Sequence, residues 1–132
     1  MKNIQLTCLL GALMIFQSCK HSDFQTYSSQ LDIDDQSYNL IVTSNLDCNN
    51  CIDQIIYGKR NPNEYYGLIF SHTKKASLLD FSYVDETKDW ISWQITYDEN
   101  LFLELIEFSE NRKTPLYFEV ENKKLKSVKS LK

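Results

Sequence analysis

Glycine and proline are scarce in this chain, at three and two residues. That excludes collagenous, linker-like and low-complexity architectures, whose compositions depend on those residues. No glycine-rich loop suited to cradling a phosphate is present. Gly-x-Ser-x-Gly does not occur, so the serine-nucleophile elbow cannot be read. Positive charge is also short: 14 Lys and Arg against 18 Asp and Glu. A nucleic-acid footprint would be basic, and this balance argues against one. Histidine is limited to His21 and His72, one in a polar stretch and one at a strand end, and both read as surface residues. No apolar run approaches the ~20 residues that a membrane-spanning helix needs. What the chain does have is aromatic residues, with eight Tyr and seven Phe, enough to fill one compact core.

The chain opens MKNIQLTCLLGALMIFQSCK. Lys2 precedes a mostly apolar stretch, 4–16, of signal-peptide size. Phe16-Gln17-Ser18-Cys19 then resembles a bacterial lipoprotein signal. The resemblance implies cleavage before Cys19 and a diacyl anchor on its sulfur, which puts the protein in a bacterial envelope, extracytoplasmic and periplasm-facing. A plain secretory signal cut nearby exports the protein equally well. Residues 1–18 are read as the leader, 19–37 as a polar tether with a short strand near Leu31–Ile33, and 38–132 as one domain. Removing Lys2 with the leader takes the formal charge from −4 to −5. The tail, KKLKSVKSLK, carries five lysines and reads as a solvated strand end rather than a headgroup contact.

Cys8 leaves with the leader and Cys19 takes lipid, so Cys48 and Cys51 are the two thiols left in the mature chain. An oxidising compartment lets them pair with each other. They follow YNLIVTS, 38–44, whose continuous β-prone run predicts a strand buried on both faces. Cys51, Ile52, Ile55 and Ile56 recur at helical offsets, predicting a helix from the cysteines to Arg60, capped by Asn45 or Asp47 and stopped by Asn61-Pro62-Asn63. EYYGLIFSH, 64–72, reads as the next strand. KKASLLDF reads as a short helix and SYVDETKD as a loop. ISWQITY, 91–97, alternates as a strand with Ile91, Trp93, Ile95 and Tyr97 on one side. Residues 98–111 predict a helix capped by Asp98, with Leu101 and Leu105 inward and Glu104 and Glu107 outward. A hairpin follows, with Leu116, Phe118 and Val120 alternating, a turn at 121–124, and a return from Leu125 to Val128. Strands alternating with helices predict an α/β layer fold. Trp90, Trp93, Tyr65 and Tyr66 read as core aromatics.

A cysteine at a helix N-terminus sits where unpaired N–H groups and the helix dipole favour a thiolate, the reactive form. A second cysteine three residues on lies one turn deeper, within reach to resolve a mixed disulfide. Three chemistries remain open for Cys48-Asn49-Asn50-Cys51: thiol–disulfide exchange, a local structural bridge, and Cu(I) binding by two soft thiolates. A bridge across so short a loop contributes little through chain entropy.

The order of strand, CxxC and helix, together with Thr114-Pro115 opening a late hairpin strand, resembles the thioredoxin superfamily over residues 38–129. The longer spacing between the two features resembles the membrane-tethered, extracytoplasmic branch of TlpA- and ResA-like proteins. The resemblance implies a central mixed β-sheet of four to five strands flanked by helices. It implies Cys48 and Cys51 as the catalytic pair, no cofactor and no metal, and thiol- or disulfide-bearing envelope proteins as partners. It also implies a cis Thr114–Pro115 peptide beside the CxxC, holding an extended partner segment. The sequence departs from the family at Asp47, where an aromatic residue is usual, and its like charge would raise the Cys48 pKa. After Val128 there is no room for the helix that closes a thioredoxin sheet, so a face is left less covered or is covered by an N-terminal piece or a partner. The alternative reading is a non-catalytic binding lipoprotein, either a Cu(I)-handling CxxC module or a redox-inactive thioredoxin-like scaffold.

Overall fold

The computed structural model describes residues 24–47, 52 and 60–130. Its frame is a five-stranded mixed sheet in the order β3-β2-β1-β4-β5, flanked by helices, so the chain is an α/β protein. The strands are β1 (Tyr38–Ser44), β2 (Glu64–Phe70), β3 (Ile91–Thr96), β4 (Leu116–Glu121) and β5 (Lys124–Ser130). β1, β2 and β3 run parallel, while β4 is antiparallel to both β1 and β5. β1 is the middle strand and all seven of its residues are buried, as expected for an uninterrupted β-branched run with neighbours on both sides.

The pleat sorts side chains onto two faces. Tyr38, Leu40 and Val42 of β1, Leu68 of β2, and Leu116, Phe118 and Val120 of β4 point into one core. Ile41, Tyr65, Ile69 and Ile91 point into the other, with Trp90, Trp93 and Tyr117 packed at its border. Tyr65 is thus a core residue and both tryptophans are half-buried, as their aromatic bulk predicts.

The first face is closed from both ends of the sequence. Helix α1 (Gln25–Gln30) lies in the stretch expected to be a tether. Phe24 is fully buried, Leu31 and Ile33 nearly so, and Phe24 N–H donates to the Lys123 carbonyl at 3.0 Å. The expected strand at Leu31–Ile33 is therefore replaced by the turn that ends α1, and the packed domain starts at or before Phe24 rather than at Tyr38. This N-terminal piece covers part of the first face. Leu101 and Leu105 of helix α3 (Glu99–Ile106) cover the rest. Asp98 caps α3 as expected, its Oδ1 accepting from Leu101 N–H at 3.2 Å.

On the second face, the helix expected at 75–81 is a 3-10 turn, Leu78–Asp80. The segment expected to be a loop forms helix α2 (Ser82–Thr87). Tyr83 and Thr87, four apart, are its buried pair. The predicted helix 48–60 lies outside the described residues except for Ile52, which is helical and fully buried in this second core, and Arg60. Adjacent parallel strands need a crossover, and Ile52, which lies between β1 and β2 in sequence, is buried on this second face.

The hairpin turns at Asn122 and Lys123, both with positive φ, the backbone of a tight turn matching the twist of the flanking strands. Among the described residues no helix is long and apolar enough to cross a membrane.

Candidate functional site

Cys48, Cys51 and Cys19 lie outside the described residues; what surrounds the 48–51 segment on either side is described. β1 ends at Ser44, and the chain then folds through a tight polar turn. Asp47 turns its carboxylate back onto the strand, where Oδ2 accepts from the Thr43 hydroxyl and from Ser44 N–H, each at 2.9 Å. Asp47 N–H in turn reaches the Ser44 carbonyl at 3.0 Å, and Leu46 N–H reaches Ser44 Oγ at 3.2 Å. The neighbouring strand end is tied in as well: Asn45 N–H donates to Phe70 O at 2.9 Å, and Asn45 Oδ1 accepts from His72 N–H at 3.4 Å. A short side chain that bonds the backbone two to four residues away fixes such turns.

Thr114 and Pro115 stand at the same end of the sheet. The β1–β4 register pairs Val42 with Leu116, so Thr43 and Pro115 are the next residues along the two strands. Both Thr114 and Pro115 are buried, and the peptide between them is cis. Proline has no N–H to extend the ladder, so regular pairing stops there. The Asn111 amide donates to Ser130 Oγ at 2.8 Å and ties the loop before this proline to the end of β5.

Below the turn lies a residue that motif reading missed. Tyr83 is 1% exposed, and its hydroxyl has no hydrogen-bond partner of good geometry among the described residues. Burial pushes its phenol well above the usual range, and the polar groups acting on it are the Thr43 hydroxyl and the Asp47 carboxylate. Tyr83 falls in a segment with no clear period, so only its spacing from Thr87 offered a signal.

The far side of the 48–59 segment is anchored at the opposite end of β1. Asn39 and Asn61 exchange side-chain amide bonds at 2.6 and 2.7 Å. Tyr117 Oη donates to Asn39 Oδ1 at 2.8 Å, and Asn61 N–H donates to Tyr65 Oη at 3.0 Å. Burial and the adjacent Tyr65 hydroxyl push the Tyr117 phenol up. The Arg60 guanidinium lies 3.6 Å over the Trp90 ring, which meets Tyr65 edge-on at 5.2 Å, a favourable cation–π arrangement. Asn61, which the sequence offered only as a helix stop, is thus a bolt between the segment's exit and the sheet.

The described residues read as solvent-facing are exposed. His72 is exposed at the end of β2, its ring against Phe70. Glu104 and Glu107 face solvent. Thr114 and Pro115 are brought to the β1 end that leads into Cys48. Comparison with family models, with curated proteins and with solved structures returned no match.

Proposed function

We propose that the chain is a thioredoxin-like thiol–disulfide oxidoreductase, exported and held on a bacterial envelope membrane by lipid on Cys19. The observation that supports it most is the place of Thr114–Pro115 in the sheet. Thr114–Pro115 stands beside the end of β1, and Cys48 follows that end by four residues. A mixed five-stranded sheet with helices on both faces is compatible with the fold this reading requires.

In this reading the Cys48 thiolate attacks one sulfur of a partner disulfide. A new S–S bond forms as the partner's bond breaks, and its second sulfur leaves as a thiolate that takes up a proton. Cys51, deprotonated, then attacks the Cys48 sulfur and expels the first partner sulfur. Two electrons have passed to the partner, and Cys48 and Cys51 are joined. A second thiol protein restores the dithiol by the same steps in reverse, and an oxidising supply runs the exchange the other way. No cofactor takes part. Thr114 and Pro115 position the partner's extended segment, and β1 gives the approach a rigid floor.

The experiment is a trap. Replacing Cys51 with Ala removes the resolving sulfur, so mixed disulfides with envelope proteins accumulate as reducible high-mass species, and a further Cys48→Ala change abolishes them. A Cys51→Ala chain that folds, reaches the envelope and traps nothing above the double variant contradicts the proposal.

A further inference from the structure

The packed domain begins closer to the proposed anchor than a polar N-terminal segment suggests. Phe24 is fully buried, and its N–H is bonded to Lys123 O in the β4–β5 turn. The Lys123 N–H bonds Gln36 O at 2.8 Å, pinning the entry to β1 at the same place. Only four residues, 20–23, separate Cys19 from Phe24. Fully extended, five residue steps reach under about 18 Å. A lipid on Cys19 therefore holds the domain by the end of the sheet that carries the hairpin turn, Tyr38 and the start of β2.

We infer that this hairpin end is a membrane-facing surface and that the opposite end, with Ser44 and Thr114–Pro115, is turned away from the bilayer. β1 spans seven residues between the two ends, about 20 Å at strand rise. The substrate class narrows accordingly, to disulfides on soluble proteins or on domains standing clear of the membrane, ahead of thiols at the bilayer surface. This rests on the lipid-anchored reading given above.

Charge does not set the orientation. Lys123 and Lys124 share the hairpin end with Asp32, Asp34, Asp35, Glu64 and Glu121. The Lys123 ammonium is engaged by Ile33 O at 2.8 Å and lies 5.9 Å over the Tyr38 ring. The exposed Lys126 is 3.6 Å from Glu121. A surface of mixed sign has no strong pull toward anionic headgroups, so the short tether alone orients the molecule, on zwitterionic and anionic vesicles alike.

The test uses the full lipidated chain with Cys48→Ser and Cys51→Ser, carrying one fluorophore at Lys124→Cys or at Leu46→Cys, both exposed positions. The chain is reconstituted into phosphatidylcholine vesicles containing a headgroup acceptor. Energy transfer from position 124 is expected to be severalfold stronger than from position 46, and twenty Gly/Ser residues inserted between Asp23 and Phe24 should erase the difference. Equal transfer from the two positions, or a difference that survives the insertion, overturns the inference. A chain whose mass lacks the diacyl group and which does not float with vesicles overturns it by removing the anchor, whereas failure of the redox reading registers only in the Cys51→Ala trap.

Discussion

Replacing Phe24 with alanine is expected to lower the free energy of unfolding by about 3–5 kcal/mol, the usual cost of deleting a buried phenylalanine. The ring is fully buried and lies 5.0 Å from Tyr27, 5.7 Å from Phe108 and 5.6 Å from Phe118. Those three partners come from α1, from the turn after α3 and from β4, so no single element can settle into the space left behind. A small domain has only about 5–15 kcal/mol in all, and the variant should lose about a fifth of it or more. Urea unfolding monitored by tryptophan fluorescence measures the shift directly. Gln30→Ala on the exposed side of the same helix serves as the control, with a change inside about 0.5 kcal/mol. If Phe24 belonged to a tether, the two variants would behave alike.

Gly67→Ala is expected to be nearly as damaging for the opposite reason. Gly67 pairs with Trp93 across β2 and β3. A Cβ at position 67 would lie 2.1 to 2.5 Å from Cε3, Cζ3 and Cδ2 of that ring, far inside contact distance. The indole cannot simply step aside. Its Nε1–H donates to Thr87 Oγ1 at 2.8 Å, and Tyr83 packs against it at 5.2 Å. Overpacking of this kind costs about 1–3 kcal/mol or more, here at the upper end. A double-mutant cycle identifies the cause: with Trp93→Ala in place, Gly67→Ala should become close to neutral. Additive losses would mean that the glycine serves something other than the indole.

The parts of the fold that could be read in advance are those where one side-chain period dominates. The run Leu40-Ile41-Val42 is apolar without a break, and β1 is the strand buried on both faces, with the bounds expected of it. Alternation in Leu116, Phe118 and Val120 marked β4, and Asp98 before Leu101 and Leu105 marked α3. The misread parts are short helices made from poor helix formers. α1 carries Tyr27 and two serines among exposed glutamines, and its burial depends on flanking residues, Phe24, Leu31 and Ile33, more than on its own face. α2 reads SYVDET, with β-branched and cap-prone residues that disfavour an isolated helix. Docking of Tyr83 onto the second core holds it in place, a tertiary effect with no local signature.

The candidate site divides in the same way. The CxxC spacing and the Thr-Pro pair are local motifs, and each could be found by eye. That Thr114–Pro115 lies beside the end of β1, the strand leading into the CxxC, depends on strand order, with β4 antiparallel beside β1, and pattern reading does not supply that. The bonds of Asp47 to Thr43 and Ser44, the buried Tyr83 hydroxyl beneath them, and the Asn39–Asn61 bolt are all products of the assembled sheet. Asp47 illustrates the point. From the sequence it is a neighbouring charge that raises the Cys48 pKa, whereas in the fold part of its charge is taken up by donors at the end of β1.

The most direct measurement is the equilibrium of the Cys48/Cys51 pair with glutathione. The protein is held in buffers of graded reduced-to-oxidised ratio, quenched with an alkylating agent and weighed. One reversible two-electron transition is expected, in which 48 and 51 change together, with a midpoint in the range of exchange enzymes, about −120 to −270 mV. A pair that stays joined until well below about −300 mV would be an inert bridge. Neither that result nor two thiols that never join at any ratio is compatible with an exchange site at Cys48.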